Sequence, residues 1–402
     1  MDIRAYILKT VVIITFLFLW LETAPAQWYY SLSLEQEYNS NPFGLPEGTD
    51  EQISRFSMGI QKEWSAVSTQ YFGSYINFYR HPDRNLYWHQ LYLSGGEDFN
   101  WNISLENRLN RTAYDIYDYL TVRSGLSYSR NMNHILWRLG TTASLNSFSE
   151  LPQLNNLLFT MFSSFNKSFA TRTSFIGVLT FNYQYYLEEQ ISQSVPDDST
   201  QNMMLSVDGV NQGGQGPGYG GGGKNEYYYS SSTSNTIPAS AELVLSLRIA
   251  QSLMKYTGLA FQFTQTFGLS DYDRNIAGLI YSYNSESQIF DDAMGYDCQI
   301  FGAELTQLLP ASFSMKLSGY YHGKCYTVQG IYIDAENYMT SELRKDIFRT
   351  VWFTLKKDFE LSLSEASGMS LQLNYQWINN SSNSYWYDYK SEYISLVLQL
   401  DI

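Results

Sequence analysis

The stretch Trp28-Tyr29-Tyr30-Ser31-Leu32-Ser33-Leu34-Glu35-Gln36-Glu37 reads as a strand with two unlike faces. Trp28, Tyr30, Leu32 and Leu34 fall on one side, and Tyr29, Ser31, Ser33, Glu35 and Glu37 on the other. Successive side chains of a strand point to opposite faces, so a strand that is apolar on one side and wet on the other needs a period of two. The pattern recurs along the chain. In 99–110, Phe99, Trp101, Ile103, Leu105 and Leu109 alternate with Asn100, Asn102, Ser104, Glu106, Arg108 and Asn110. In 390–402, Ile394, Leu396, Leu398, Leu400 and Ile402 face away from Tyr393, Ser395, Gln399 and Asp401. Sixteen such segments can be marked, from 28–38 to 390–402; uncertain boundaries allow about 14 to 18.

Segment lengths and connections narrow the class. Many segments run 10–13 residues, where a tilted strand needs about 9–11 to cross a bilayer. Short links join the second segment to the third, near Trp64, and likewise the fourth to the fifth and so on in pairs up to the twelfth and thirteenth. Most of the remaining links are longer, among them 39–51, 188–238, 268–292, 323–345 and 378–389. Short turns on one edge and long loops on the other are the mark of an antiparallel up-and-down barrel in a membrane. Residues 209–223, with nine Gly in fifteen positions, read as a flexible part of the longest loop. They lack the GxxxxGK[ST] order of a phosphate loop.

The start of the chain is set apart. Arg4 and Lys9 precede a stretch of 11 residues, Val11 to Leu21, apolar but for Thr15 and followed by Ala24-Pro25-Ala26. The run is too short for a membrane helix, which needs about 20 residues. It reads as a secretory signal over 1–26, leaving 27–402 as the exported barrel. No other long apolar run follows, and mean hydropathy is -0.28. Charged residues are 16% of the chain and aromatic residues 17%. Charge is thus well below the usual quarter, and Tyr with uncharged polar residues suits strands between lipid and water. A net charge of -14 argues against nucleic acid as a partner. Trp28, Trp64, Trp88, Trp377, Trp386 and Tyr387, near segment ends, are expected in interfacial girdles.

Signal, hairpin pattern and the final strand Tyr393 to Ile402 together resemble bacterial outer-membrane β-barrel proteins as a class, across nearly all of 27–402. The resemblance implies an outer-membrane location, contact with its lipid, and recognition of the last strand by the barrel-insertion machinery. That strand usually ends in an aromatic residue, and here it ends in Ile402. Glu37-Tyr38-Asn39-Ser40-Asn41-Pro42 also looks like the first-strand motif of some export barrels that carry periplasmic helical repeats. No such repeats are present, so no export role is carried over.

Parity assigns charged side chains to the interior: Glu35, Glu37, Arg55, Glu106, Arg108, Arg123, Arg138, Glu242, Arg248, Lys316 and Lys356. In a wet lumen such groups can set ion selectivity, or they can form ion pairs that stiffen the wall. The four His are His81, His89, His134 and His322. His81 and His134, at loop ends, are expected to be solvated. The sequence has no HExxH motif and no paired-Cys motif, and neither a metal nor a cofactor is expected. Cys298 and Cys325 fall on one hairpin, but parity puts the first inward and the second outward. A disulfide between them would need a bulge.

The leading functional expectation is a pore for small polar solutes, since sixteen strands enclose a water-wide lumen. A second is a closed barrel that displays loops 188–238 and 268–292. A third is a hydrolase at the rim, which would need a Ser–His or Asp–His pair on adjacent strands.

Overall fold

The computed structural model describes residues 27–187, 239–270, 294–360 and 368–402, with the two-residue strands Met204–Leu205 and Tyr227–Tyr228. The expected signal 1–26, the glycine-rich stretch and most of the two longest loops lie outside the described residues.

Sixteen antiparallel strands form one closed barrel in sequence order. They are β1 Gln27–Asn39, β2 Glu51–Glu63, β3 Val67–Phe78, β4 Leu86–Gly95, β5 Phe99–Asn110, β6 Tyr119–Met132, β7 Ile135–Phe148 and β8 Asn156–Ser168. The second half is β9 Thr173–Tyr186, β10 Ser240–Met254, β11 Thr257–Gly268, β12 Tyr296–Leu309, β13 Phe313–Tyr326, β14 Lys345–Glu360, β15 Gly368–Ser382 and β16 Tyr389–Asp401. Each strand pairs with its neighbour, and β1 pairs with β16 to close the ring. Closure leaves no unpaired edge, so every strand can satisfy its backbone without water. Among the described residues no helix is long and apolar enough to cross a membrane.

The outer surface carries the apolar parity. Leu34 is 52% exposed, Phe56 52%, Met161 52% and Phe261 57%. In water each such side chain would forgo roughly 1.5–3 kcal/mol of burial; in contact with hydrocarbon that cost disappears. At the short-turn edge Trp28 stacks on Tyr30, and the Lys62 ammonium lies 4.5 Å from the Trp28 ring and 5.1 Å from that of Trp64. Trp88 departs from the expected girdle. It pairs with Ser74 and Arg108 on the lumen face, where its indole N–H donates to Glu106 at 3.1 Å. Tyr387 also lies away from any girdle, its ring against the buried Arg344 guanidinium.

Short turns link the strand pairs at one edge. Two of them are only two residues long, and the one between β6 and β7 places Asn133 at φ 51° and His134 at φ 65°. Both central residues in the left-handed region make a turn whose twist matches the flanking strands. The sequence segments differ from the strands mainly in being too short. The first, 28–38, is Gln27–Asn39, and β14 runs on through the polar Lys356-Lys357-Asp358 to Glu360, a run tolerated where a strand emerges from the apolar band.

Cys298 is buried and Cys325 exposed, and both thiols are free. The β12–β13 register pairs Cys298 with Lys324 and Asp297 with Cys325 without a shift. The two sulfurs therefore stand on opposite faces of the sheet, and the disulfide considered above does not form.

Candidate functional site

The interior wall is the candidate site, and strand parity builds it. All eleven charged residues assigned inward lie on the lumen parity of their strands, as the pairings show: Glu35 opposite Arg55, Arg108 opposite Tyr119, Ser104 opposite Arg123, Ser129 opposite Arg138, Asn182 opposite Glu242 and Ser314 opposite Lys356.

Several meet across strands. The Arg55 guanidinium reaches the Glu35 carboxylate at 3.3 Å, and the Tyr393 hydroxyl donates to the same carboxylate at 3.0 Å. Glu304 joins Arg248 at 3.2 Å and Lys316 at 2.7 Å, so one carboxylate serves two cations. Lys356 pairs with Asp358 at 2.8 Å. Glu106 accepts from the Tyr119 hydroxyl at 2.5 Å, and Arg108 donates to the Asn110 side chain at 2.8 and 3.1 Å. Asn182 donates to Glu242 at 2.6 Å and Asn39 to Glu37 at 3.1 Å. Arg138 donates to the Ser129 hydroxyl at 3.0 Å, while Arg123, exposed to the lumen, has no ion pair with a described residue. Ion pairs this open to solvent contribute about 0–1 kcal/mol each; their larger effect is on the field inside the barrel.

At the long-loop edge the interior is apolar in two places, which strand alternation alone does not announce. Phe43, Ile53, Ile76, Phe78 and Leu86 form one buried cluster, and Tyr117, Tyr119, Phe148, Leu151 and Leu154 another. Ile53, Ile76, Phe78 and Leu86 have lumen parity, so residue 43 enters from above and the loop after β1 folds inward. The polar residues of the Glu37 to Pro42 motif hold it there. Asn41 accepts from the Leu45 N–H at 3.0 Å and donates to the carbonyls of Leu45 at 2.7 Å and Lys390 at 3.0 Å. Arg84 links the clusters, its guanidinium 4.1 Å from the Phe43 ring and 4.5 Å from that of Tyr114.

Loop 327–344 is tied down by Arg344, which is 2% exposed. It donates to both oxygens of Asp346, through Nε at 3.0 Å and through Nη2, and to Gln329 at 3.1 Å. Its Cζ lies 3.1 Å from the Tyr387 ring centre. Farther out in the same loop, exposed Asp334 accepts from the Asn337 side chain and from the backbone of Glu336 and Asn337. The Asn337 amide is the largest influence holding this carboxyl below its ordinary value. Asp118, just before β6, goes the other way: burial pushes it up against the opposing hydrogen bonds from Asn110.

His81, expected to be solvated, instead sits half-buried with Nδ1 2.5 Å from the fully buried Glu51 carboxylate. Glu51 also takes the backbone N–H groups of Gln52 at 2.9 Å and Arg80 at 2.8 Å. The pair thus pins the start of the loop after β3. His134 lies exposed in its turn. His89 faces outward and meets the Tyr71 hydroxyl at 2.8 Å. Among the described residues no group of three or more His, Cys, Asp or Glu is placed to hold a metal ion.

Glu304, Lys324 and Asp346 also have lumen parity but were absent from the sequence-derived set. Glu304 was within reach of it, since it shares the parity of Cys298 on β12. Asp346 and Arg344 sit at a strand start, where parity is hardest to assign.

No protein-family description matches the chain, and no curated protein matches its sequence. Solved structures similar in shape include a bacterial polysaccharide outer membrane secretin, at 9% identity and TM-score 0.47, covering 93% of this chain and 97% of that one. OpdK, an outer membrane protein of Pseudomonas aeruginosa, is similar at 8% identity and TM-score 0.49 over 94% and 99%. OccAB1 of Acinetobacter baumannii is similar at 8% identity and TM-score 0.49 over 94% and 96%. Likenesses this distant concern the barrel shape alone, and no transported substance follows from them. By its own topology, with a closed ring, an apolar exterior and a largely polar interior, the chain is a sixteen-stranded antiparallel up-and-down barrel of the transmembrane type.

Proposed function

We propose that the mature chain is a pore for small polar solutes in a bacterial outer membrane, with its short turns toward the periplasm. The single observation carrying this reading is the closed sixteen-stranded wall whose inward face is polar and charged. A ring of that strand number is wide enough to hold a column of water. Lumen side chains such as Arg123 and Arg138 would then meet permeating ions directly. The test is to refold residues 27–402 in detergent, insert them into a planar bilayer and record single-channel current. Discrete conductance steps are expected. A folded, inserted barrel that passes no current overturns the reading.

A second reading, a closed barrel presenting loops to partners, draws on the inward-packed clusters around Phe43 and Tyr117, which occupy part of the mouth at the long-loop edge. It predicts no steady current, and binding that is lost when the loops are trimmed.

A further inference from the structure

The outward face of β10 to β15 carries an apolar groove of about 720 Å³. Its lipid-side walls are Phe261, Phe263, Phe301, Tyr321, Val351 and Trp377. Ala303 and Gly319 give it depth, because neither puts bulk on the surface between those rings. A side chain added at Gly319 would find nothing nearer than the Thr350 carbonyl at 3.9 Å. Most of the outer wall simply alternates large apolar residues. Here a channel is left among them.

One end of the groove is charged. Arg349 lines it, is exposed, and makes no ion pair or hydrogen bond with any described residue. It is the fifth residue of β14, which begins at Lys345 on the long-loop edge. Its cross-strand neighbour is Asn379, whose own neighbour is the exposed Lys390. The positions paired with Arg349 on its two neighbouring strands are Tyr321 and Asn379, so no carboxylate stands directly across from it. A cation on the lipid face costs about 2–4 kcal/mol at mid-membrane and about 0–1 near the interface. Position and cost together put Arg349 at the level of lipid headgroups. A guanidinium binds phosphate oxygens through two parallel hydrogen bonds, a geometry that a lysine lacks.

We infer that this groove is a binding site for an anionic phosphate-bearing lipid of the outer leaflet, with an acyl chain along the aromatic channel and the phosphate on Arg349. The charge at one end and the apolar lining below it match the two parts of such a molecule in the order a leaflet presents them. The site is independent of conduction, because it lies on the other face of the wall.

The test uses the folded mature protein in detergent with phosphatidylglycerol or phosphatidylcholine of identical chains, and lipid retention is read by native mass spectrometry. Phosphatidylglycerol should be retained several-fold more than phosphatidylcholine, because the choline cation offsets the phosphate charge that faces Arg349 while the glycerol headgroup leaves it whole. Arg349→Gln should remove that preference, lowering phosphatidylglycerol retention more than phosphatidylcholine retention. Gly319→Leu, which fills the groove, should lower retention of both lipids. Circular dichroism and heat-dependent gel migration confirm that each variant is folded. Equal retention of the two lipids, or an unchanged preference in Arg349→Gln, overturns the proposal. Glycerol phosphate retained as well as phosphatidylglycerol overturns it too, since that anion has no chain to occupy the groove.

Discussion

Tyr30 and Ile402 exchange both of their backbone hydrogen bonds, at 2.9 and 2.8 Å, at the seam where the last strand meets the first. Ile402 therefore completes the ring through its main chain. Ile402→Pro removes one of these two bonds and leaves the rest of β16 paired. The expected loss is about 1 kcal/mol, read as a lower temperature for the shift from folded to unfolded migration on a gel. Ile402→Phe, which keeps both bonds, should leave that temperature unchanged.

Arg344→Met strands Asp346 without its partner. Both are almost fully enclosed, and breaking a buried pair costs about 3–5 kcal/mol. The loss should be local: hydrogen exchange across 327–344 should speed up while the wall strands keep their protection. Adding Asp346→Leu to Arg344→Met should recover part of the loss, because the buried charge left behind is then gone.

His134→Gly should stabilise the β6–β7 turn. His134 holds φ 65°, a conformation that costs an L-residue about 1–2 kcal/mol and glycine very little. A slower unfolding rate, or a higher denaturant midpoint in refolding titrations, would confirm it. A lower midpoint would mean that the imidazole makes a contact worth more than the strain.

The Asp334 turn should depend on acid. Its folded carboxyl titrates below the ordinary value of 3.8, so the charged form is the one that the native turn favours. The stabilisation is fully present above that value and disappears as pH falls through the lower, folded one. Amide exchange at Glu336 and Asn337, followed from neutral pH downward and corrected for intrinsic rates, should lose protection only in that acid range. Asp334→Asn should flatten the profile.

The wall was readable from the sequence because lipid imposes a strict rule. Any residue of the wrong parity at Leu34 or Leu398 would put a polar group into hydrocarbon, so the period of two survives from end to end. The lumen obeys no such rule. Water accepts Glu106 and Arg108, but the interior also accepts Ile76 and Trp88 when a loop or a carboxylate is there to meet them. Trp88 was misplaced for that reason: an indole near a strand end fits a girdle or a lumen equally well, and only its register with Arg108 decides. The inward fold of the loop after β1 rests on Asn41 bonding to the carbonyl of Lys390, a contact between distant parts of the chain that no local pattern records. Glu304 shows the opposite case. Its parity was plain, but its importance comes from having two cations as neighbours, which is a property of the sheet and not of the strand.

The link that Arg84 makes between Phe43 and Tyr114 has a mechanical consequence. Three surface loops meet at one planar cation, so they should yield together. A cut, an insertion or a bound antibody in any one of them should be felt at the other two, while the staves of the cask below stay in place. Variation in those loops can then reshape the outer doorway without disturbing the part of the chain that must enter the membrane.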